Sequence, residues 1–300
     1  MRLAQIRDFL AVVECSGVRA AARKLGVAQP TLSKSVRELE AELHVQLIGR
    51  SSRGVVLTPA GRAFHTRVQA ASAELRKASE EAAQTGGSGA GTVTFSMGRV
   101  GVAAVLPEAV ARFRRQYPLA RIRMVEGYGA EMLAGVRNAS LDFAFFQKSL
   151  KGLDASIRFR PLLHSVLAIC ARKGHPLGQA RSLSALSGAD WLDAGTQWEP
   201  GGSVDLLFRT AGLELPQQKI QCVGGLSLVT LLANSDMLAL LQRDFLDRPP
   251  TSEFLQEIAV AEAMPSVTAG LYTRADTPLT RVAAAMARHV TTVARERAQA

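Results

Sequence analysis

Residues 18–61 read VRAAARKLGVAQPTLSKSVRELEAELHVQLIGRSSRGVVLTPAG, and the spacing within this stretch sets out two helices joined by a turn and then a basic hairpin. Ser16 or Gly17 opens a helix whose buried stripe is Ala21, Ala22 and Leu25, and Gly26 stops it. After the turn Gly26-Val27-Ala28, Pro30 suits the first turn of the next helix, where its missing amide hydrogen would be unpaired in any case. In that helix Leu32, Val36, Leu39 and Leu43 face inward. Upstream, Leu3, Ile6, Leu10 and Val13 recur at three- and four-residue steps and define a first helix with one apolar face.

Burial of that leucine and valine stripe directs Gln29, Thr31, Ser33, Lys34 and Arg37 outward, near the amino end of the helix that begins with Gln29-Pro30. A second helix of this kind enters the major groove of duplex DNA, where Gln can read adenine and Lys or Arg can meet guanine or phosphate. Arg50-Ser51-Ser52-Arg53-Gly54 lies between Leu47-Ile48 and Val55-Val56, as a hairpin tip holding Arg50 and Arg53 toward a DNA backbone or minor groove. Thr58-Pro59 then caps a long helix in which Phe64, Val68, Ala71, Leu75, Ala78 and Ala82 form a seam that calls for a partner helix. TGGSGAG at 85–91 follows as a flexible linker, so pairing of two copies through this helix, with help from the first helix, is the expected use of the seam.

The remaining composition narrows the field. With 300 residues, 47% of them hydrophobic, the chain is long enough for two or three compact units. The formal charge of +10 favours a polyanionic partner without identifying it. Residues 1–91 hold 13 Lys and Arg against 8 Asp and Glu, and residues 92–300 hold 23 against 18, so positive charge is denser in the first segment. Asp8 and Glu14 interrupt the apolar start MRLAQIRDFLAVVEC, which therefore lacks the core of a secretory signal, and no later run approaches the length of a membrane span. A cytoplasmic location without membrane association is expected. Cys15, Cys170 and Cys222 fit neither a disulfide framework nor a zinc site; they read as buried thiols, with a redox pair of Cys170 and Cys222 as the alternative.

The amino-terminal pattern resembles that of the LysR-type transcriptional regulators. The residues that carry the resemblance are Ala20-Ala21-Ala22, Gln29-Pro30-Thr31-Leu32-Ser33, Leu39-Glu40, the wing arginine Arg50 and Leu57-Thr58-Pro59-Ala60-Gly61. The chain departs from the family at Ile48, where Phe is common, and at His44, where Gly is usual after the third helix. From Thr92 onward, TVTFSM, RIRMVE and LDFAFF alternate with the helical patterns AVLPEAVARFRRQ and LAGVRNAS, the grammar of an α/β sheet, and VLAICA, IQCV, MLALL and VTAGLY extend it to two lobes. The resemblance implies a periplasmic-binding-protein-like effector domain crossed at PLLHSVLAICARKGHPL and again near Pro265 to Thr268. The resulting division is a winged helix-turn-helix domain over 1–58, a linker helix and hinge over 59–91, and an effector domain over 92–300. Its lobe I takes 92–163 and 267–300, and its lobe II takes 164–266.

Ligands of open α/β sheets sit beyond the carboxyl ends of strands, where helix amino termini offer amide donors. Ser96-Met97-Gly98-Arg99 follows the first such strand and leads the candidates, with Ser96 and nearby amides holding an anion and Arg99 adding charge. Tyr128 and Gly129, Phe146, Thr196 and Trp198, and Gly224 and Ser227 lie in the other strand-end loops. Their mixture of glycine, hydroxyl and aromatic groups suits a small organic acid, aromatic acids included. The family resemblance implies promoter DNA, RNA polymerase and a homodimer assembling to a homotetramer as partners, with no cofactor or metal. Three rivals remain: an architectural DNA binder without ligand, an exported solute binder, which the missing signal disfavours, and an enzyme. His44, His65, His164, His175 and His289 are dispersed, and no H-E-x-x-H, G-x-S-x-G or P-loop motif is present.

Overall fold

A computed structural model describes residues 1–51, 54–85, 91–148, 152–194, 202–216 and 219–299, with side chains at all of these except 50, 51 and 83–85. The chain divides into two compact units, Met1–Ser88 with Arg137–Ser140, and Gly89–Val136 with Leu141–Ala300.

The first unit is built from α1 (Leu3–Glu14), α2 (Val18–Leu25), α3 (Gln29–Leu43), the hairpin β1 (Ile48–Ser51) and β2 (Gly54–Leu57), and the long α4 (Pro59–Thr85). Gly26 ends α2 in the left-handed conformation that its lack of a Cβ allows. The hairpin is antiparallel, with Ile48 opposite Leu57 and Ser51 opposite Gly54. Helix α1 packs more than the one face its spacing implies: Ile6, Leu10 and Val13 of that stripe pack inward as expected, Leu3 is 65% exposed, and Phe9, Ala11 and Val12 are buried as well. The reason is that α1 divides two small cores. Ala11 and Val12 join Ala21, Ala22, Leu32 and Val36 on one side, while Ile6 and Phe9 join Leu39, Leu47 and Val68 on the other. Phe9 also meets Phe64 of α4 edge to face, with ring centroids 5.5 Å apart.

Two side chains bind the backbone where the hairpin meets its neighbouring helices. One Glu40 carboxylate oxygen accepts the amide hydrogens of Leu47 and Ile48 at 2.8 and 3.1 Å, which turns the chain from α3 into β1. The Thr58 hydroxyl accepts the amide of Gly61 at 2.9 Å and caps α4. Gly61 is required sterically, because a Cβ there would lie 1.9 Å from the Leu47 carbonyl oxygen.

The second unit runs β3 (Thr92–Met97), α5 (Arg99–Ala104), α6 (Leu106–Gln116), β4 (Arg121–Met124), α7 (Gly129–Arg137), β5 (Phe143–Gln147) and the sixteen-residue β6 (Ile157–Arg172). It continues through β7 (Trp191–Asp193), α8 (Ser203–Thr210), β8 (Lys219–Gln221), α9 (Gly225–Ala233), β9 (Leu238–Gln242), α10 (Thr251–Phe254), β10 (Leu255–Ile258), β11 (Ser266–Arg274) and α11 (Arg281–Gln299). The strand order is β4-β3-β5-β11-β6-β9-β7-β8, with β10 also on β6. Strand β6 pairs with β11 over Ile157–Val166 and with β9 over Leu167–Cys170, so it crosses from one lobe into the other. The return passage is β11, which begins at Ser266 opposite Val166. Each lobe keeps its own core, one around Phe95, Phe143, Phe145 and Met286, the other around Trp191, Phe208, Leu238 and Leu240.

Cys170 and Cys222 do not form a pair. Cys170 lies on β6, and Cys222 follows β8, with β9 and β7 between them. Three strand spacings of about 4.8 Å place them well beyond the Cα separation of roughly 7 Å that a disulfide tolerates. Burial pushes the Cys170 thiol far above its ordinary range, which keeps it protonated and inert.

Two substitutions test the packing of the first unit. His44, the residue that departs from the family pattern, ends α3 at φ 54°, in the left-handed region. His44→Gly should raise stability by up to about 1 kcal/mol by relieving that conformation. Glu40→Ala should lower it by about 2–3 kcal/mol by stripping a charged acceptor from two amides. Chemical denaturation of the first unit measures both, and equal midpoints for Glu40→Ala and the parent would refute the joint assigned to Glu40.

Candidate functional sites

The surface of α3 is where the first unit offers chemistry. Gln29, Pro30, Thr31, Lys34 and Arg37 are exposed, and Ser33 is half-buried. Ala28 supplies no side-chain cap, so the first amides of α3 open outward as a positive dipole end suited to phosphate. The Arg37 Nε donates to the Ser33 carbonyl at 3.3 Å, which lays the guanidinium along the helix. Lys34 is 3.8 Å from Glu38 in an exposed pair that water and salt weaken, leaving its ammonium available. Arg53 and the side chain of Arg50 lie outside the described residues.

Along α4, Ala71, Ala78 and Ala82 are exposed and Leu75 is 49% exposed, while Phe64 and Val68 turn into the unit. With Leu3, Ala4 and Ile6 of α1, Ala71 and Leu75 line an apolar groove of about 390 Å³.

The second unit gathers polar groups at the carboxyl ends of its strands. Ser96, near the end of β3, is 1% exposed, and its Oγ has no hydrogen-bond partner among the described residues. Arg99 begins α5 and reaches from the first lobe to the Ala194 carbonyl of the second, Nη1 to oxygen 3.4 Å, while its buried Nε has no partner among the described residues. Burial pushes the Arg99 guanidinium below the ordinary arginine value, against the opposing pull of Tyr128, Asp193 and Cys222. Burial likewise raises the Tyr128 phenol, and the nearby Arg99 charge pulls it back. Gly98 allows the loop its close approach to β5: a Cβ there would meet the Phe146 Cβ at 2.9 Å. Gly129 is exposed at the start of α7, Gly224 caps α9, and Ser227 is exposed in the first turn of α9.

Two of the expected cleft residues turn away from it. Phe146 is 4% exposed and stacks on Tyr272 with ring centroids 4.1 Å apart, so its side chain is spent on core packing. The Met97 side chain is buried in the core of the first lobe, because alternation along β3 sends it to the opposite face from Ser96. Thr196 and Trp198 lie outside the described residues. The sequence reading missed Asp193, Cys222 and Glu131. Asp193 closes β7 and its charge acts on Arg99, Cys222 follows β8, and Glu131 stands in the first turn of α7. Strand-end position was the one local signal for the first two; an acidic first turn was the signal for the third. Among the described residues no group of three or more His, Cys, Asp or Glu could hold a metal, and no helix is long and apolar enough to cross a membrane.

Comparison with known proteins gives this arrangement a context. Residues 3–62 match the family model of a bacterial regulatory helix-turn-helix protein of the lysR family, and residues 86–295 match that of the LysR substrate binding domain. The transcriptional regulator TdcA of Escherichia coli (strain K12) is 23% identical over 257 residues, covering 86% of this chain and 82% of TdcA. The crystal structure of CbnR, a LysR family transcriptional regulator, superposes with a TM-score of 0.72 at 18% identity over 98% of this chain and 99% of that one. Full-length CbnR complexed with its target DNA gives 0.69 at 19% identity over 98% and 100%. At these identities the likeness of the structures speaks to the fold: a helix-turn-helix unit followed by a two-lobed, periplasmic-binding-protein-like unit.

A buried hydroxyl without a partner is unfavourable in the free protein. Ser96→Ala should therefore raise the stability of the unliganded chain by about 1 kcal/mol. A loss of that size in calorimetric melting would mean instead that the hydroxyl holds the fold together.

Proposed function

This chain belongs to the LysR family of transcriptional regulators, in which a DNA-binding unit is joined to an effector-binding unit, and from that premise we propose that a small organic acid, aromatic acids among the candidates, controls its action at a promoter. The observation that carries the reading is Ser96, a hydroxyl kept from water at a strand end, beside an arginine that is itself under-satisfied. An acid supplies the missing acceptors: one carboxylate can take hydrogen bonds from the Ser96 Oγ and the Arg99 Nε together. Tyr128, Gly129, Gly224 and Ser227 complete the surroundings. An architectural DNA binder without ligand would have no use for the pair.

In the DNA-binding unit, Gln29, Thr31 and Ser33 face base edges or fix register, and Lys34 and Arg37, with the wing residues Arg50 and Arg53, neutralise phosphate. Full-length CbnR is known bound to its target DNA, and the similar fold supports DNA binding by this chain. The apolar groove between α1 and α4 receives α4 of a second copy, which presents two α3 helices to an inverted repeat. Residues 1–58, 59–91 and 92–300 then act as reader, coupling helix and sensor, and dimers pair into tetramers that bend the promoter and address RNA polymerase. Effector and promoter are coupled through differential affinity, since a ligand that binds two arrangements equally shifts neither.

Footprinting and calorimetry with the full chain test the scheme. Gln29→Ala should weaken binding to the operator about five- to a hundred-fold while leaving scrambled duplex almost unaffected. Lys34→Ala should weaken both and reduce the slope of log affinity against log salt by about one. Ser96→Ala should abolish the effector response with operator affinity retained. Equal losses on operator and scrambled duplex for Gln29→Ala would remove α3 from sequence readout.

A further inference from the structure

We infer that the effector is a zwitterion, an amino acid or a close relative, whose carboxylate is held by Ser96 and Arg99 and whose cationic nitrogen is held by Glu131. The inference rests on the acid-binding role proposed for Ser96 and Arg99, and it names the class of acid.

Geometry supplies the first argument. A Cβ built on Gly127 would lie 3.8 Å from the Ser96 Oγ and 3.8 Å from a Glu131 carboxylate oxygen. The two oxygens therefore flank the same small space, separated by at most twice that distance. A separation within that bound is bridged by two hydrogen bonds of about 2.8 Å set at an angle to each other, one to the ammonium and one to the carboxylate of the same small molecule. Gly127 keeps the space open, since any other residue would put a side chain into it.

Charge supplies the second. Among the described residues, Arg99 is the cation acting on Tyr128, set against Glu126 and Glu131, and Asp193 acts on Arg99 from the second lobe. The cleft thus carries one buried positive end with carboxylates around it. A dicarboxylate would bring its second negative charge toward those carboxylates. A plain monocarboxylate would satisfy Ser96 and Arg99 and leave Glu131 to water. A zwitterion satisfies both ends, and its ammonium gains a charge-assisted bond that a plain acid lacks. A carboxylate in the first turn of α7 also favours that helix, yet such a role requires no proximity to Ser96.

The test uses the full chain and the twenty standard L-amino acids, followed by thermal shift and then calorimetry. Each binder is compared with the acid lacking its amino group and the amine lacking its carboxyl group; benzoate and short aliphatic acids are run beside them. The expected result is binding of at least one amino acid, ten- to a hundred-fold tighter than its des-amino acid. Glu131→Gln should erase that preference while leaving the des-amino acid's affinity within two- to three-fold. Gly127→Ala, a neutral change that places a methyl group 3.8 Å from each oxygen, should weaken the amino acid at least ten-fold with melting and operator binding retained. Plain acids that bind as tightly as their amino counterparts, or an equal effect of Glu131→Gln on both, overturn the zwitterion and leave the organic-acid reading standing. Binding by neither class overturns both.

Discussion

Strand β6 belongs to two sheets at once, and its backbone must satisfy β11 on one stretch and β9 and β10 on the next. The strand runs for sixteen residues, with a bulge at Leu162 where its register against β11 shifts between Ala269 and Gly270. Among the described residues the chain passes between the lobes where β6 changes partner, between Val166 and Leu167, and where β11 begins, at Ser266. The strand ends and helix amino termini of both lobes are thereby brought to face one another. Arg99 can reach the Ala194 carbonyl because of that arrangement, and Asp193 and Cys222 can act on the same guanidinium.

The two units solve their burial problem differently. In the second, whole lobes are large enough to bury Trp191, Phe208, Phe95 and Phe143 completely, so polar groups at the cleft are supported by a rigid background. The first is small, and α1 splits its apolar residues between two minor cores. Backbone anchoring by Glu40 and Thr58 supplements what those cores contribute. The price of exposing Leu3 and Leu75 is acceptable if a second protomer covers them, which ties the modest core to assembly.

Legibility in the sequence follows the range of the interaction. The turn at Gly26, the entry of α3 at Gln29-Pro30, the hairpin and the Thr58 cap depend on neighbours a few residues away, and spacing reveals them. The face of α1 was read only in part, because periodicity describes one stripe, whereas this helix serves two cores. The Ser96 loop was readable as a strand running into a helix. Phe146 was not, since its stacking partner Tyr272 arrives on β11, and no local pattern announces that neighbour. Glu131 and Asp193 escaped for the same reason: they reach the cleft from α7 and β7, elements brought beside Ser96 and Arg99 by folding alone.

The stretch Leu57-Thr58-Pro59-Ala60-Gly61 carries one more lesson. Thr58 spends its hydroxyl on the chain itself, and Gly61 is excluded from bearing a side chain by the Leu47 carbonyl. Both residues therefore answer to the architecture of the first unit and not to what its surface touches. Gln29, Thr31, Lys34 and Arg37 face solvent instead, where the fold places little constraint on the side chain.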